Sequence, residues 1–511
     1  MRRSWFRELL RRRIAVILLL ILQALFIVYV VRSDTLAAEV LRDLLRLLSV
    51  VIVLHVISHK DKGANKVAWV FLALLFPLFG GAFYFLYHFQ SSTRRFTQAI
   101  SEITQASAGL YALPEDAFSQ VEQSFPKHIS QIRYLQEFAG FPVFDHTHVR
   151  YFSPGEQFIG PYLEELRKAE RYIFLEYFIV AEGRVWDSIL EVLREKAAQG
   201  VEVRLLYDDI GCFLTLPTSY KKQLQKYGIK CQVFNPFRPV LSVIQNNRDH
   251  RKITSIDGKA AFTGGLNLAD EYVNLYEKHG YWKDSAVLVE GKAAWSLTLM
   301  FLEMWALCAR EQERFENFYP WNGSICPILS DGFVQPYADS PMDTENVGEH
   351  VYMQIVNRAE EYVYITTPYL IIDDSMVSAL CLAAKSGVDV RIITPHVWDK
   401  ALVHLTTRSY YRELIEGGVK IYEYSKGFIH SKLFVSDDET ATVGTTNLDF
   451  RSLYLHFECG VWMCGSSAVR QVKEDFLHTL EDCREISLED CRGNFAARLF
   501  QDLLRLIAPL L

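Results

Sequence analysis

An eighteen-residue pattern occurs twice in this chain, and no other feature restricts the possible folds as strongly. The first copy, HRKITSIDGKAAFTGGLN, occupies residues 250–267, and the second, HSKLFVSDDETATVGTTN, occupies residues 430–447. In each copy a histidine is followed by lysine two positions later, aspartate seven, glycine fourteen and asparagine seventeen positions later. All five residues recur after 180 positions. This spacing indicates a duplicated functional unit and therefore two similar halves.

The motif segments have the alternation of short β-strands. Side chains two positions apart lie on one face of a strand, so His250 and Lys252 are expected to point the same way, as are His430 and Lys432. An interpretation as two core histidines leaves the lysines unexplained, because buried lysine is rare unless it is paired. The glycines at positions 264 and 444 predict tight backbone that a ligand can approach closely.

These residues resemble the signature of the phospholipase D superfamily, a doubled H-x-K-x4-D with a downstream glycine and asparagine. The resemblance covers the chain from about residue 150 to its C-terminus. It implies that both motifs form one active site and that the reaction passes through a phosphohistidine. The site residues that it implies are His250, Lys252, Asp257, Asn267, His430, Lys432, Asp437 and Asn447.

The residue types agree with phosphodiester chemistry. Histidine, with an unperturbed pKa near ~6.5, can serve as nucleophile, acid or base at neutral pH. Lysine and asparagine side chains can donate hydrogen bonds to phosphate oxygens, and four converging donors would make a metal ion unnecessary. The four expected donors are Lys252, Asn267, Lys432 and Asn447. Neither a metal nor a cofactor is therefore expected.

Each imidazole also needs a carboxylate that holds its ring. Glu458 lies 28 residues after His430 and begins an apolar stretch. Its counterpart in the first half is Asp284, which lies 34 residues after His250 and also begins an apolar stretch. We therefore expect Asp284 and Glu458 to orient the two rings.

Four other polar residues near the motifs receive different roles. Asp257 and Asp437 stand at an odd offset from their histidines, so on a regular strand they should face away from the site. They are expected to stabilise the backbone of the site rather than to transfer protons. His279 and His456 are interpreted as structural or solvent-facing.

Composition restricts the class of protein. A chain of 511 residues is too long for one ordinary core, so two or three units are expected. The net charge of −7 disfavours a general nucleic-acid binder, which would carry a basic surface. The nine cysteines are an odd number without metal-ligand spacing, which predicts free thiols in a reducing compartment.

The N-terminal region has the composition of a membrane anchor. Residues 14–31 and 67–87 are uncharged, and each approaches the ~20 residues that cross a hydrocarbon core. A third span over residues 36–57 stays open, because only the second half of that stretch is apolar; an interfacial segment is the alternative. Six arginines among the first thirteen residues place the N-terminus on the cytoplasmic side of a bacterial cell membrane. Two spans, which we favour, leave the catalytic part in the cytoplasm, whereas three place it outside.

The remainder of the chain alternates between strand and helix patterns. The order strand, helix, strand occurs in both halves, which implies two tandem pseudo-twofold α/β domains with predominantly parallel strands. The predicted elements are residues 171–179, 185–200 and 201–209 in the first half and 361–371, 375–387 and 388–395 in the second.

These patterns divide the chain into four regions. The predicted boundaries are a membrane anchor over 1–90, a connector over 91–150, a first domain over 151–325 and a second over 326–511. Residues 494–511 have apolar side chains at four-residue spacing. They are interpreted as a helix that closes onto the second domain, with an interfacial helix that touches lipid as the alternative.

Within the superfamily, the membrane segments, the two complete motifs and the stretch TTNLDFRSLYLHFE resemble the bacterial cardiolipin synthases. That family joins two phosphatidylglycerol molecules and releases glycerol, so phosphatidylglycerol and membrane lipids are the expected partners and nucleic acid is not. Hydrolytic phospholipase D and phosphatidylserine synthase are the enzymatic alternatives. A membrane-anchored protein that binds anionic lipid is the non-enzymatic one, which two intact His/Lys pairs disfavour. His456 departs from the family, where asparagine is expected.

Overall fold

Two compact units make up the chain. The computed structural model describes residues 25–26, 28–29, 32–33, 35–58, 62–76, 84, 91–111, 117–237, 243–321, 326–492 and 495–510. The smaller unit contains the chain up to Arg95 together with 237–246 and the last three residues. The larger unit contains Phe96–Pro236 and Asn247–Ala508. Both motif-bearing halves therefore belong to one compact body.

The smaller unit contains two described helices, α1 (Leu36–Ser58) and α2 (Gly63–Leu75). Among the residues that the structure describes, no helix is both long enough and apolar enough to cross a membrane. The possible third span over 36–57 is therefore not supported, because the first half of α1 carries four charged residues. The predicted span 14–31, apart from four residues, lies outside the described part of the chain, and so does most of 77–87.

The larger unit begins with helices that pack on its core. They are α3 (Ser91–Tyr111), α4 (Ala117–Ser124) and α5 (Ile129–Arg133), with short 3-10 and π turns at Pro126–His128 and Tyr134–Phe138. Phe96, Ile100 and Ile103 of α3 lie against the aromatic cluster that contains Trp295 and Phe457. From Phe96 onward, helix α3 is therefore part of the larger unit.

The first half forms a seven-stranded sheet with the strand order β1-β9-β7-β6-β2-β3-β4. Its elements are β1 (Thr147–Phe152), α6 (Glu156–Lys168), β2 (Tyr172–Tyr177), α7 (Arg184–Ala198), β3 (Glu202–Asp208), α8 (Tyr220–Gln225), β4 (Lys230–Phe234), β5 (Arg248–Asp249), β6 (Lys252–Ile256), β7 (Ala260–Gly264), β8 (Tyr281–Lys283), β9 (Ala286–Gly291) and α9 (Ala294–Ala309). Further 3-10 turns lie at Val243–Asn246, Asp270–Val273 and Phe315–Phe318.

The second half repeats this order as β10-β19-β17-β16-β11-β13-β14 and adds β20 at the edge. Its elements are β10 (Phe333–Asp339), α10 (Val347–Arg358), β11 (Tyr362–Thr366), β12 (Leu370–Ile371), α11 (Asp374–Lys385), β13 (Asp389–Pro395), α12 (Ala401–Glu416), β14 (Lys420–Tyr424), β15 (Gly427–Ile429), β16 (Leu433–Ser436), β17 (Thr440–Gly444), β18 (Leu448–Asp449), α13 (Phe450–Tyr454), β19 (His456–Cys464), α14 (Ser467–Leu480), β20 (Cys483–Ile486) and α15 (Phe495–Ile507), followed by a 3-10 turn at Ala508–Leu510.

The tandem α/β organisation is confirmed, but the expectation of predominantly parallel strands is wrong. In the first sheet only the β2–β3 and β3–β4 pairs are parallel, and β11–β13 and β13–β14 match them in the second. The motif strands β6, β7 and β9 run antiparallel, as do β16, β17 and β19. A connection of a few residues can join only antiparallel neighbours, and each motif contains such a hairpin.

The two sheets share one core. A single buried cluster contains Ile253, Ala261 and Val287 of the first sheet together with Val435 and Val461 of the second. Both sheets therefore bury one face against each other and cover the other with helices, which is the layer arrangement of an α/β protein.

The C-terminal helix α15 closes onto the second half, as predicted. Arg505 donates to Glu413 of α12 at 2.6 Å, and its guanidinium lies 4.2 Å from the ring centroid of Tyr410. The apolar row seen in the sequence does not make this contact, because Phe495 and Leu499 are exposed. The helix is held by a polar edge and by Leu504, which is buried.

The motif aspartates fix the start of the neighbouring parallel strand. Asp257 accepts hydrogen bonds from the backbone N–H groups of residues 170, 171 and 172 at 2.7–2.8 Å. Asp437 accepts from those of residues 360, 361 and 362 at 2.8–3.0 Å, and from Lys127 at 2.8 Å. Both aspartates have φ of 53°, a left-handed conformation that aspartate tolerates in hairpin turns. This geometry agrees with the backbone role expected for them.

Replacing Asp437 should destabilise the fold, and Asp438 provides a matched control. Asp437→Asn keeps the size and the tolerance of positive φ but turns an N–H toward backbone donors, which should lower the free energy of unfolding by about 1–3 kcal/mol. Asp438 has φ of 58° and an exposed carboxylate, so Asp438→Asn should change it by less than about 0.5 kcal/mol. Urea denaturation followed by circular dichroism measures both, and equal losses would contradict the role of the Asp437 carboxylate.

Candidate active site

Two short parallel strand pairs bring each motif histidine to the other half of the protein. Strand β5, which precedes His250, pairs with β19, so that Asp249 lies opposite Phe457. Strand β15, which precedes His430, pairs with β8 in the same manner. The pairing continues into the histidines, because the His250 N–H donates to the carbonyl oxygen of Phe457 at 2.9 Å. Each histidine therefore enters the site beside a strand of the opposite half.

Each histidine also bonds to a carboxylate of the opposite half. His250 Nδ1 lies 2.9 Å and 3.0 Å from the two carboxylate oxygens of Glu458. His430 Nδ1 lies 2.7 Å from Asp284 Oδ2. Both carboxylates are fully buried. The sequence analysis identified both carboxylates but located each one relative to the histidine of its own half. In the fold, each carboxylate instead bonds to the histidine of the other half.

The structure shows why the pairing is exchanged. Asp284 directly follows β8 and Glu458 is the third residue of β19, and these are the strands that pair with β15 and β5. The parallel register then sets His430 beside Asp284 and His250 beside Glu458. A single sequence contains no signal for this register, because the paired segments are short and about 150–200 residues apart.

The lysines lie beside the histidines in both halves. Lys252 Nζ donates to the backbone carbonyl of His250 at 2.6 Å. Lys432 Nζ contacts the carbonyl of His430 and lies 2.9 Å from its Nδ1. Each His/Lys pair lies together, but the expectation of one regular strand face is not met, because both histidines and Lys432 lie between strands. Both lysines are buried.

Burial controls the protonation of the four basic groups. It lowers the pKa of His250 to about 3 and that of His430 to about 4, so both imidazoles are neutral at pH 7 in the free protein. Burial also lowers the pKa of Lys252 to about 8 and that of Lys432 to about 7, and the charge of Lys252 adds to the effect on Lys432. The lysines influence each other across the two halves, as expected for one shared site.

The carboxylates remain ionised in the same environment. Burial alone would raise the pKa of Glu458, but the adjacent His250 holds it well below its usual value. His430 and Lys432 likewise outweigh burial at Asp284 and lower its pKa. Thr445 also donates its hydroxyl to Glu458. Each ring therefore has an anionic acceptor on Nδ1, which leaves Nε2 for other chemistry.

The two motif asparagines differ in the hydrogen bonds of their side-chain amides. Asn267 accepts from the Ile179 N–H at 2.9 Å and donates to the Tyr272 hydroxyl at 2.7 Å. Asn447 is also buried, and its Oδ1 has no hydrogen-bond partner among the described residues. The two asparagines therefore differ in how much of each amide is already committed to the protein.

The glycines at the end of the first motif are required by close packing. A Cβ at Gly264, whose φ is +149°, would meet the backbone of Ala286 at 2.5 Å. A Cβ at Gly265 would collide with the carboxylate of Asp284. The protein itself therefore requires glycine at these positions, and the approach of a ligand to them stays a prediction.

His456 lies closer to the site than its interpretation as a structural or solvent-facing residue indicated. Its ring centroid is 5.6 Å from that of His250, and its Nδ1 is 3.8 Å from Glu458 Oε1. Among the described residues, His250, His456 and Glu458 are a group whose ligand atoms could hold a metal ion. His250 Nδ1 already bonds to Glu458, so a metal would have to compete with the bond that orients the imidazole. The register of β5 on β19 places His456 beside the first motif, and the sequence alone does not predict this register.

Aromatic side chains enclose the two imidazoles. The ring centroid of Phe178 is 5.0 Å from that of His250, and those of Tyr272 and Trp282 are 5.6 and 5.3 Å from that of His430. Lys252 Nζ lies 5.6 Å from the Phe178 ring centroid. These apolar walls limit access of water and strengthen electrostatic interactions inside the site.

Comparison with known proteins agrees with this geometry. The family described as "Cardiolipin synthase, PLD-like domain" matches residues 162–305 and 352–480, and "Phospholipase_D-nuclease N-terminal" matches residues 47–87. A phosphatidylserine synthase structure from Haemophilus influenzae covers 74% of this chain and 97% of its own, with a TM-score of 0.56 and 17% identity. That likeness shows the fold.

Two relatives align along most of the chain. An uncharacterized protein of Streptococcus mutans is 42% identical over 461 residues, which cover 90% of this chain and 99% of its own. A cardiolipin synthase of Alkalihalophilus pseudofirmus is 33% identical over 468 residues, which cover 91% of this chain and 92% of its own. The chain therefore belongs to the cardiolipin synthase family of the phospholipase D superfamily.

Proposed function

We propose that this protein is a cardiolipin synthase, which transfers a phosphatidyl group from one phosphatidylglycerol to a second and releases glycerol. The observation that carries the proposal is the crossed pair of buried histidine–carboxylate bonds, each beside a buried lysine, in a chain of this family. Two oriented imidazoles supply a nucleophile and an acid–base group for a two-step displacement.

In the first step, Nε2 of one imidazole attacks the phosphorus of phosphatidylglycerol. A P–N bond forms and the P–O bond to the headgroup glycerol breaks. The other imidazole, which takes up a proton on Nε2 when the anionic substrate binds, gives that proton to the departing glycerol oxygen. The result is a phosphatidyl-histidine and a neutral second imidazole. Either His250 or His430 can take the first role.

In the second step, the neutral imidazole removes the proton from a headgroup hydroxyl of another phosphatidylglycerol. The hydroxyl oxygen attacks phosphorus, the P–N bond breaks and the four-chain product leaves. The aromatic walls around both histidines favour the lipid alcohol over water as the acceptor. Lys252 and Lys432 stabilise the charge that develops on the phosphate oxygens, with Asn267 and Asn447 as further donors.

The same proposal includes a bacterial cell membrane as the location, with more than one crossing and phospholipid as the partner. The N-terminal family match over residues 47–87 supports an anchor in this region. Nine free cysteines favour a catalytic body on the cytoplasmic side, because disulfides are rare in reducing compartments and common in oxidising ones. Boundaries at residues 90, 150 and 325 remain predictions.

Incubation of the pure protein with phosphatidylglycerol alone tests the reaction. Mass spectrometry should find glycerol and a four-chain lipid, whereas a hydrolytic phospholipase D would form phosphatidic acid. His250→Ala and His430→Ala should each lower the rate by at least about 10³-fold, because one site needs both imidazoles. A single variant that keeps about half the activity would contradict the shared site, and phosphatidic acid as the main product would contradict the transferase assignment.

Removal of metal ions should leave the rate unchanged. The proposed chemistry uses lysines where metal-dependent enzymes use a cation, so EDTA should change turnover by less than about twofold. His456→Asn removes one of the three groups that could hold an ion and serves as the control. Loss of activity in EDTA that one divalent ion restores in the parent, but not in this variant, would show that the cluster binds a required metal.

Raising the pH should lower kcat/KM, because kcat/KM reports on the free enzyme. Lysine is charged below its pKa, and burial lowers the pKa of Lys432 to about 7 and that of Lys252 to about 8. As pH rises from about 7 to about 9, both lysines lose the charge that attracts phosphate, so kcat/KM should fall. Circular dichroism over the same range controls for unfolding, and a flat profile would contradict the phosphate-binding role of the lysines.

A further inference from the structure

Six large side chains of the larger unit are exposed on three segments near the motifs. We define them as the apolar rim, and they are Ile210, Leu214, Leu275, Tyr276, Trp398 and Leu402. Leu214 is 80% exposed, Tyr276 60% and Trp398 52%. Scattered exposed apolar residues need no explanation, but a set gathered at one site indicates an interaction surface.

The strand order places the first and third of these segments, which follow β3 and β13, at the edge of the sheets where the histidines lie. Tyr177, at the carboxyl end of β2, pairs with Lys252, and β3 runs parallel to β2, so residues 209–219 leave β3 at this edge. The second half repeats this arrangement, because Thr366 of β11 pairs with Leu433 and β13 runs parallel to β11. Open α/β sheets bind ligands beyond these carboxyl ends.

The first segment packs on an aromatic wall of the site. Cys212 Sγ lies 3.5 Å from the backbone carbonyl oxygen of Phe178, and a Cβ at Gly211 would collide with the same carbonyl. The Phe178 ring centroid is 5.0 Å from that of His250. Ile210 and Leu214 therefore belong to a segment that packs on the wall beside His250.

The second segment is held against the wall near His430. Asn274 accepts from the Trp282 N–H at 2.7 Å and donates to its carbonyl oxygen at 2.9 Å. The Trp282 ring centroid lies 5.3 Å from that of His430. Leu275 and Tyr276 follow Asn274 directly, which places them one layer of residues from the imidazole.

The third segment reaches the same wall through a polar cluster. Asp399 accepts from the Tyr369 hydroxyl at 2.6 Å and from Lys400 at 2.7 Å. The Tyr369 ring centroid is 6.4 Å from that of Phe428, which is 5.9 Å from that of His430. Trp398 and Leu402 lie on either side of this cluster in the sequence.

We propose that the apolar rim inserts into the surface of a lipid bilayer, so that the entrance to the two histidines opens toward the headgroups. This inference rests on the proposed function, in which both substrates are bilayer lipids. With the rim inserted, a headgroup moves a short distance to the histidines while its acyl chains stay near the hydrocarbon. A protein partner on the same surface would close the entrance instead.

The composition of the rim fits a bilayer surface. Tryptophan and tyrosine favour the boundary between water and hydrocarbon, and leucine and isoleucine favour the hydrocarbon. The three segments contain Lys278 and Lys400, but also Asp209, Glu277 and Asp399, so they carry no net positive charge. The rim therefore binds through burial of apolar surface, and uncharged phosphatidylcholine is sufficient for contact.

Fluorescence of Trp398 tests the contact without any turnover. The full chain is reconstituted into phosphatidylcholine vesicles whose lipids are brominated near the start of the acyl chain, and the signal of Trp398 is the difference between parent and Trp398→Phe. Brominated lipid should quench Trp398 more strongly than the mean of the other tryptophans. Quenching by aqueous acrylamide but not by brominated lipid would overturn the proposal.

Activity with matched variants provides the second test. The rim variant Leu214→Gln, Leu275→Gln, Leu402→Gln leaves the reporter Trp398 in place. The control Leu329→Gln, Leu382→Gln, Leu488→Gln replaces three exposed leucines elsewhere; for example, Leu488 follows Ile486, which pairs with the start of β14 at the opposite edge. On phosphatidylglycerol vesicles the rim variant should lose at least about tenfold in rate, and the control less than about twofold.

In detergent-mixed micelles the rim variant should stay within about twofold of the parent, because dispersed lipid reaches the site without insertion. An equal loss in vesicles and micelles would show that the rim shapes the site itself and would overturn the proposal, as would full activity on vesicles. Failure of the proposed function is distinguishable, since a phosphatidic acid product changes the reaction while the quenching of Trp398 still reports the contact.

Discussion

Two buried hydrogen bonds cross between the halves, and both the candidate site and the union of the two sheets depend on them. His250 bonds to Glu458 and His430 to Asp284, and each pair joins residues that a simple tandem duplication would have kept apart. An ionised carboxylate inside a protein is costly unless it is paired and hydrogen-bonded, so neither half can satisfy its own carboxylate without the other. The crossed strands β5 on β19 and β15 on β8 fix the same arrangement in the backbone. Each half therefore needs the other both for its stability and to complete the site. This explains why both sheets belong to a single compact body.

The sequence predicted the parts of this arrangement better than their connections. Periodicity identified the repeated strand–helix–strand order, and the spacing of Asp257 and Asp437 correctly turned them toward backbone, because those inferences depend on neighbours along the chain. Other features depend on strand pairings between residues about 150–200 positions apart. These features are the exchange of Asp284 and Glu458 between the histidines and the position of His456 beside His250. A three-residue strand has no periodicity from which its partner could be inferred. The membrane segments form a third case, since the pattern over 14–31 falls largely outside the described residues.

The two halves match in topology but not in electrostatics. In the first half Arg251 is buried next to Asp249, and burial raises the pKa of Asp249 to about 7 and that of Glu176 well above its usual value. The positions of Asp249 and Arg251 are Ile429 and Ser431 in the second motif, which have no charge. His250 is therefore flanked by two ionisable residues, whereas His430 is flanked by two uncharged ones. A duplicated site with identical halves would have no basis for assigning nucleophile and acid to particular histidines, whereas this asymmetry supplies one.

In the proposed mechanism, the protonation state of the free site couples lipid binding to catalysis. Both imidazoles are neutral before substrate arrives, because burial outweighs the attraction of the carboxylates. A neutral imidazole is the form that attacks phosphorus, but the departing glycerol oxygen needs a proton from its partner. The anionic phosphodiester brings negative charge next to both rings, and nearby negative charge raises the pKa of an imidazole. Substrate therefore promotes protonation of the histidine that acts as the acid, while the buried lysines, close to losing their own protons at neutral pH, are stabilised in the charged form by the same phosphate. In the proposed mechanism, a site whose two imidazoles are uncharged in the free protein gains the proton that it needs when an anionic lipid headgroup enters it.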